Sequence, residues 1–264
     1  MTASPGPATT GLRPALVAPL ALTFLRIPLL AVAFTAVSAA LLGTGVADSW
    51  DEAWRAAADH AYVVLNVAVD LPCLLVLALV LRREGRRLRD LLGPGGLGPR
   101  RTVLRGLAVF AVMAAMFGLF PVVVEAVVGA APYPGGLTEP PVWVVVWTVV
   151  VFPLVTGPTE ELLFRGYALP ALHGAVRRSS PRVRRAGTVL AVAVTALGFG
   201  VAHTLIPPVG EVGTLVARAL TLTAIGVVLD LIRLRTRHLG PLVVGHVLLD
   251  AVLIGGFTVL AATT

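Results

Sequence analysis

The sequence predicts an all-α, polytopic membrane protein with about seven transmembrane spans. Of its 264 residues, 57% are hydrophobic and 13% are charged, whereas an average soluble domain contains about 25% charged residues. The mean hydropathy is +0.90. The apolar residues fall into long stretches, and about 20 such residues are enough for a helix to cross a bilayer.

The first half of the chain contains three of these stretches. Residues 1–14 are rich in Pro, Thr and Ala and are predicted to form a disordered tail. The first stretch, from Ala15 to about Val46, exceeds the roughly 7–15 apolar residues of a signal peptide. We interpret it as an uncleaved span, with a short surface helix ending near Arg26 as a variant. The next two spans are predicted at 62–81 and 102–130.

Four further spans follow a Pro/Gly-rich turn at 132–141. The fourth opens at Val142 and runs into a group of charged residues at 159–166. The remaining spans are predicted at 187–206, 213–232 and 242–262.

The distribution of arginine indicates how the chain is oriented. The net charge is +7 and every basic residue is arginine. Arginine-rich loops alternate with loops that together carry one arginine, Arg55. We therefore expect the basic loops to face the cytoplasm and to attract anionic lipid headgroups. Because these arginines do not form one soluble surface, nucleic acid is not an expected partner. The lysine-free, Ala-, Val- and Gly-rich composition indicates a bacterial cell membrane. The basic loops are 82–101, 177–185 and 233–237.

The fourth stretch ends with three ionisable residues, Glu160, Glu161 and Arg165. A charge at the middle of a span costs on the order of 2.5–3.5 kcal/mol. Glu161 and Arg165 are four residues apart and can pair on one helical face. Glu160 lies about 100° further round the helix, so this pair does not account for it.

Two other residue pairs have the same helical spacing. Phe199 and His203 share one face, and flanking glycines permit close helix packing. His246 and Asp250 share another. Each pair alone is compatible with ordinary helix packing. Together with Glu160, two histidines and a carboxylate could activate water or bind a metal.

These three motifs resemble those of the CPBP family, the CAAX-type prenyl endopeptidases and bacteriocin-processing enzymes, also called the Abi family of intramembrane proteases. The run EELLFRGYAL at 160–169 is similar to the first motif of that family. The resemblance implies a catalytic membrane domain at 142–252. Residues 1–141 then form the tail and three spans, and 253–264 the end of the last span and a C-terminal tail.

The resemblance implies an intramembrane endopeptidase that acts on a peptide or protein substrate. Glu160 would be the general base that activates water with His203, while His246 and Asp250 would stabilise the oxyanion or position the scissile carbonyl. The family often has Asn at the last position, and an ionised Asp cannot donate a hydrogen bond. Three further residues would shape the site: Glu161, Arg165 and Phe199.

Whether the site binds a catalytic zinc stays open at this point, because Glu160, His203 and His246 could supply three ligands. Straight, perpendicular spans would place His203 near the outer side and the other two near the inner side. We therefore expect the fourth span to break at Gly157-Pro158, with Thr159 capping a new helix.

Two alternatives belong to other functional classes. A transporter or channel would explain the further polar residues in or near the spans, although the sequence shows no inverted repeat. A non-catalytic immunity or scaffold protein would tolerate loss of Glu160. The residues that suggest transport are Arg26, Asn66, Asp70, Glu125, Arg218 and Asp230.

Overall fold

The fold is that of an all-helical, multi-pass membrane protein. This computed structural model describes residues 12–56, 62–93, 97–130, 141–177, 181–204 and 212–261. In these ranges all the regular structure is helical, and seven helices are long and apolar enough to cross a membrane. The predicted fold class is confirmed. The predicted tail, 1–14, lies outside the described residues except for its last three.

The N-terminal half contributes three of the long helices. The first helix is continuous and carries Arg26 near its centre, so the variant with a surface helix ending at that residue is wrong. A short 3₁₀ turn at Leu88–Leu91 follows the second long helix. The helices are α1 (Leu12–Gly43), α2 (Trp50–Ala56), α3 (Tyr62–Arg83) and α4 (Pro99–Val128).

The C-terminal half contributes the other four. The longest is α5, which covers residues 142–177 and contains π-helical turns at Trp147–Val151 and Glu161–Ala168. The others are α6 (Pro181–Ala202), α7 (Val212–Thr236) and α8 (residues 240–261).

The predicted break at Gly157-Pro158 is wrong, because α5 passes through it. Glu160 and Glu161 both have right-handed helical backbone angles. Thr159 does not cap a new helix, since its hydroxyl donates to the Val155 carbonyl one turn earlier at 2.7 Å. Widened π turns, which often occur at functional sites, lie on both sides of this proline-containing segment.

The position along α5 at which α8 begins explains how the distant motifs meet although α5 is unbroken. Leu239, just before α8, packs on Gly166, where an added Cβ would lie 3.2 Å from its Cδ2 atom. Further along, Val247 packs on Gly157. The two helices are thus antiparallel, and α8 begins beside Gly166, about two-thirds of the way along α5. Glu160 lies six residues before Gly166 on α5, and His246 lies seven residues after Leu239 on α8. Because the helices are antiparallel, these two side chains lie at the same depth in the bundle.

Helix α6 also runs antiparallel to α5 and reaches the same level. Its first half packs on the last part of α5, where Leu169 and Leu172 join Ala191 and Val192 in one apolar cluster. Further along, the rings of Phe164 and Phe199 meet edge to face with centroids 5.5 Å apart. The next turn of each helix carries Glu160 and His203. The expected conflict in depth arose because we assumed that all spans begin at one level.

Glycine allows α6 and α7 to pack closely beside the site. A Cβ at Gly200 would lie 2.6 Å from the Ala219 carbonyl oxygen and 2.9 Å from the Thr223 amide nitrogen. Such distances are below any ordinary carbon contact, so only glycine fits here. The prediction that glycines flanking Phe199 permit close helix packing is confirmed.

Candidate active site

Glu160 lies halfway along α5 at the wall of an internal cavity of about 260 Å³. The residue is only 1% exposed. Most of the cavity lining is apolar and comes from α4, α5, α6, α7 and α8. Its ionisable lining residues include Tyr62, Glu160, His203, Arg218, His246 and Asp250.

The four residues predicted to be catalytic lie together at this wall. His203 Nε2 is 3.4 Å from Glu160 Oε1, and His246 Nε2 is 3.6 Å from Glu160 Oε2. His246 Nε2 is also 3.8 Å from Asp250 Oδ1. The Glu160 carboxylate therefore lies between two imidazoles that arrive from α8 and from the end of α6. The catalytic roles of these residues stay predictions.

Each imidazole is oriented through its other nitrogen. His203 Nδ1 is 2.7 Å from the Phe199 carbonyl oxygen, and the two rings are 4.5 Å apart. Because a carbonyl only accepts, this nitrogen carries the proton. His246 Nδ1 is 2.9 Å from Glu161 Oε1, and it likewise donates to a carboxylate. Both Nε2 atoms consequently point toward Glu160.

The predicted pair between Glu161 and Arg165 is present and belongs to a larger buried network. Arg165 Nη1 is 3.3 Å from Glu161 Oε1, and its Nε donates to Asp230 Oδ1 at 2.8 Å. The Thr195 hydroxyl donates to the second Asp230 oxygen. The guanidinium also lies 4.3 Å from the centre of the Phe199 ring, where a cation–π contact is favourable. This network connects α5, α6 and α7 behind the two histidines.

A second network, which motif spacing did not predict, holds Glu160 from the N-terminal half. Arg26 Nη1 donates to Glu160 Oε1. Its Nε donates to Asp70 Oδ1 at 3.0 Å and its Nη2 to Asn66 Oδ1 at 2.7 Å. All four side chains are buried. One sequence feature points to this network, which is the presence of polar residues within the apolar spans α1 and α3.

The two carboxylates at the cavity each keep one oxygen without a hydrogen bond. Among the described residues, Glu160 Oε2 and Asp250 Oδ2 are both buried and unpartnered. A buried carboxylate oxygen without a donor is costly, and such atoms often mark a functional site. Both oxygens belong to residues that line the cavity, which makes them candidate acceptors for a bound molecule.

The arrangement does not fit a bound metal ion. Within the described ranges, no group of three or more His, Cys, Asp or Glu side chains is placed to hold one. The Arg26 guanidinium contacts the Glu160 carboxylate, and its positive charge would repel a zinc ion at the same carboxylate.

Comparison with known proteins identifies the part of the chain that carries these motifs. Residues 141–252 match the family model described as Type II CAAX prenyl endopeptidase Rce1-like. No curated protein and no solved structure matches the chain. The matched family implies a membrane endopeptidase. The predicted resemblance is therefore confirmed over residues 141–252, the segment that this chain shares with the Rce1-like, CPBP-type endopeptidases.

Proposed function

We propose that this protein is an intramembrane endopeptidase in which Glu160, assisted by His203, activates a water molecule. The observation that carries the proposal is the position of the Glu160 carboxylate at the cavity wall, 3.4 Å from His203 Nε2 and 3.6 Å from His246 Nε2. A general base needs this proximity to its partners and access to the reacting molecule. The family match supports hydrolysis of a peptide bond as the reaction.

The tautomer of His203 suggests how water is activated. With the proton on Nδ1, the neutral ring presents an unprotonated Nε2 toward Glu160. Neither this nitrogen nor the Glu160 carboxylate carries a proton, so both can accept hydrogen bonds from one water molecule. In this step the water oxygen attacks the carbonyl carbon of the scissile bond, and its proton passes to Glu160 or His203. The unpartnered Glu160 Oε2 is the oxygen best placed to receive it.

His246 is placed to stabilise the tetrahedral intermediate. With Nδ1–H donating to Glu161, the ring also carries a proton on Nε2 only in its imidazolium form. That Nε2–H can donate to the oxyanion, and one such donor is typically worth a few kcal/mol in a water-poor site. When the intermediate collapses, the C–N bond breaks and the leaving amine takes the proton held by Glu160 or His203. We assign Asp250 to positioning the His246 ring.

A peptide or protein segment is the proposed substrate, and the surrounding membrane is part of its environment. The apolar lining of the cavity suits hydrophobic side chains. We also propose that the arginine-rich loops face the cytoplasm of a bacterial cell and bind anionic lipid headgroups. The buried charges that suggested a transporter, Arg26, Asp70 and Asp230, take part in ion pairs around the candidate site.

A cleavage assay with purified protein tests the proposal. The wild-type protein in proteoliposomes is incubated with a library of peptides in ¹⁸O-labelled water, and the products are analysed by mass spectrometry. We expect internal cleavage with one ¹⁸O atom in the new carboxylate. Parallel measurements of ion and solute uptake separate the enzyme from a transporter. Uptake without any cleavage would contradict the proposal.

A further inference from the structure

The candidate site extends beyond the family-matched segment into α1 and α3. We propose that Arg26 is a positioning residue for the reaction, which fixes the Glu160 carboxylate at the cavity wall and leaves one of its oxygens without a hydrogen bond. This inference rests on the proposed function. It concerns a residue 115 positions before residue 141, where the matched segment begins.

The hydrogen bonds of the guanidinium define its orientation completely. Each of its three nitrogens donates to a different side chain, which are Asp70, Glu160 and Asn66. Asn66 is itself fixed, because its amide nitrogen donates to the Tyr62 carbonyl at 2.8 Å. A planar guanidinium held at three points cannot rotate without losing at least one bond.

This orientation distinguishes the two oxygens of Glu160. Oε1 accepts from Arg26 and lies near His203. Oε2 has no hydrogen-bond partner among the described residues and lies on the side of His246. If Arg26 served only to join α1 to α3, its bonds to Asp70 and Asn66 would be sufficient. The third nitrogen instead holds the residue that we assign as general base.

The charges around Arg26 explain why replacing it by an uncharged residue should reduce activity. One arginine serves two buried carboxylates, Asp70 and Glu160. Removing it leaves both without their cation, and an uncompensated buried charge is strongly unfavourable. Glu160 would then lose the hydrogen bond that fixes the orientation of its carboxylate. The distance between the base and the reacting water would change.

Kinetic constants of Arg26 variants test the positioning role. We expect Arg26→Gln to lower kcat about 100-fold while KM changes by less than about threefold, because misplacing a catalytic group by about 1 Å can cost that much. Arg26→Lys should recover part of the activity, since it keeps the charge but cannot hold three acceptors in a plane. Ser38→Ala, a buried polar position on the same helix, is the control and should behave as wild type.

Three kinetic outcomes would overturn the inference. They are a wild-type kcat in Arg26→Gln, a loss confined to KM, and an Arg26→Lys variant no more active than Arg26→Gln. Wild-type protein that cleaves nothing would overturn the proposed function and the positioning role with it. Activity that is lost in Glu160→Gln but intact in Arg26→Gln would overturn this inference alone.

Thermal melting tests the pairing without any substrate. We expect Arg26→Gln to lower the melting temperature, because Glu160 keeps its buried charge. Adding Glu160→Gln to that variant removes the charge and should raise the melting temperature again. A double variant whose loss equals the sum of the losses in Arg26→Gln and Glu160→Gln would show that the two residues are not coupled and would overturn the inference.

Discussion

Arg26 and Glu160 form a buried ion pair across 134 residues of sequence. The pair joins the centre of α1 to the centre of α5, and it connects the N-terminal spans to the candidate base. The neighbouring residue, Glu161, pairs in the same way with Arg165, which also pairs with Asp230. His246 lies between the two networks, with one ring nitrogen toward each glutamate. Each of the two adjacent carboxylates thus has its own arginine.

Burial should determine how much each arginine contributes to stability. Arg165 is fully buried with Glu161 and Asp230, whereas Arg86 pairs with Glu84 at 3.0 Å with both side chains about 40% exposed. We expect Arg165→Gln to destabilise the protein by roughly 3–5 kcal/mol, since it takes the arginine away from two buried carboxylates. Arg86→Gln should cost less than about 1 kcal/mol. Unfolding in mixed detergent and denaturant measures both, and equal losses would contradict this account.

Close packing of α6 and α7 should be sensitive to a single methyl group. Gly200→Ala places a Cβ less than 3 Å from two backbone atoms of α7, and overpacking typically costs about 1–3 kcal/mol. We expect a lower melting temperature and reduced cleavage, because His203 follows three residues later. Gly174→Ala is the matched control, since nothing lies within 4 Å of a Cβ there. A Gly200→Ala variant as stable as this control would show that the contact is not tight.

Much of the fold could be predicted because the membrane constrains it. Apolar stretches of sufficient length and alternating loop charge predicted all seven spans, and the structure places each of them within a few residues. Helical spacing also predicted the Glu161–Arg165 pair and the Phe199–His203 contact correctly. These relationships are local, so the period of a helix is sufficient to derive them.

The remaining features depend on contacts between distant segments. No spacing rule connects Arg26 to Glu160, and the sequence showed only that both were charged residues in apolar stretches. The predicted break at Gly157-Pro158 failed for a related reason. We placed each residue by counting from the end of its own span, but α8 begins beside Gly166 rather than at the end of α5. Relative helix levels come from packing, which the sequence does not state directly.

The charge of Asp250 should be dispensable, whereas its shape should not. Its side chain is 3.8 Å from His246 Nε2 and lines the cavity. We expect Asp250→Asn to keep activity within about threefold, because the amide preserves the volume and adds a possible donor to the oxyanion. Asp250→Leu should lower kcat about 100-fold, as loss of an oxyanion-site group commonly does. Wild-type activity in Asp250→Leu would show that this position has no role in the reaction.

Activity should survive removal of metal ions. The Arg26 guanidinium contacts the carboxylate that would have to bind zinc, and like charges repel strongly at a buried site. We therefore expect unchanged cleavage after dialysis against a strong chelator, with less than one zinc per protein by elemental analysis. Loss of activity that zinc alone restores would establish a metal-dependent mechanism and contradict our assignment of Glu160 as the base.

The most direct test of the central claim is the kcat of Glu160→Gln beside that of Glu125→Gln. Both substitutions replace a carboxylate in a membrane span by an amide of similar size, but Glu125 is exposed on α4 and is not part of the cavity lining. We predict that Glu160→Gln lowers the rate of peptide cleavage at least about 100-fold, as loss of a general base does, and that it remains folded. Glu125→Gln should cleave at the wild-type rate. A folded Glu160→Gln variant with wild-type kcat would contradict the claim that this carboxylate activates water.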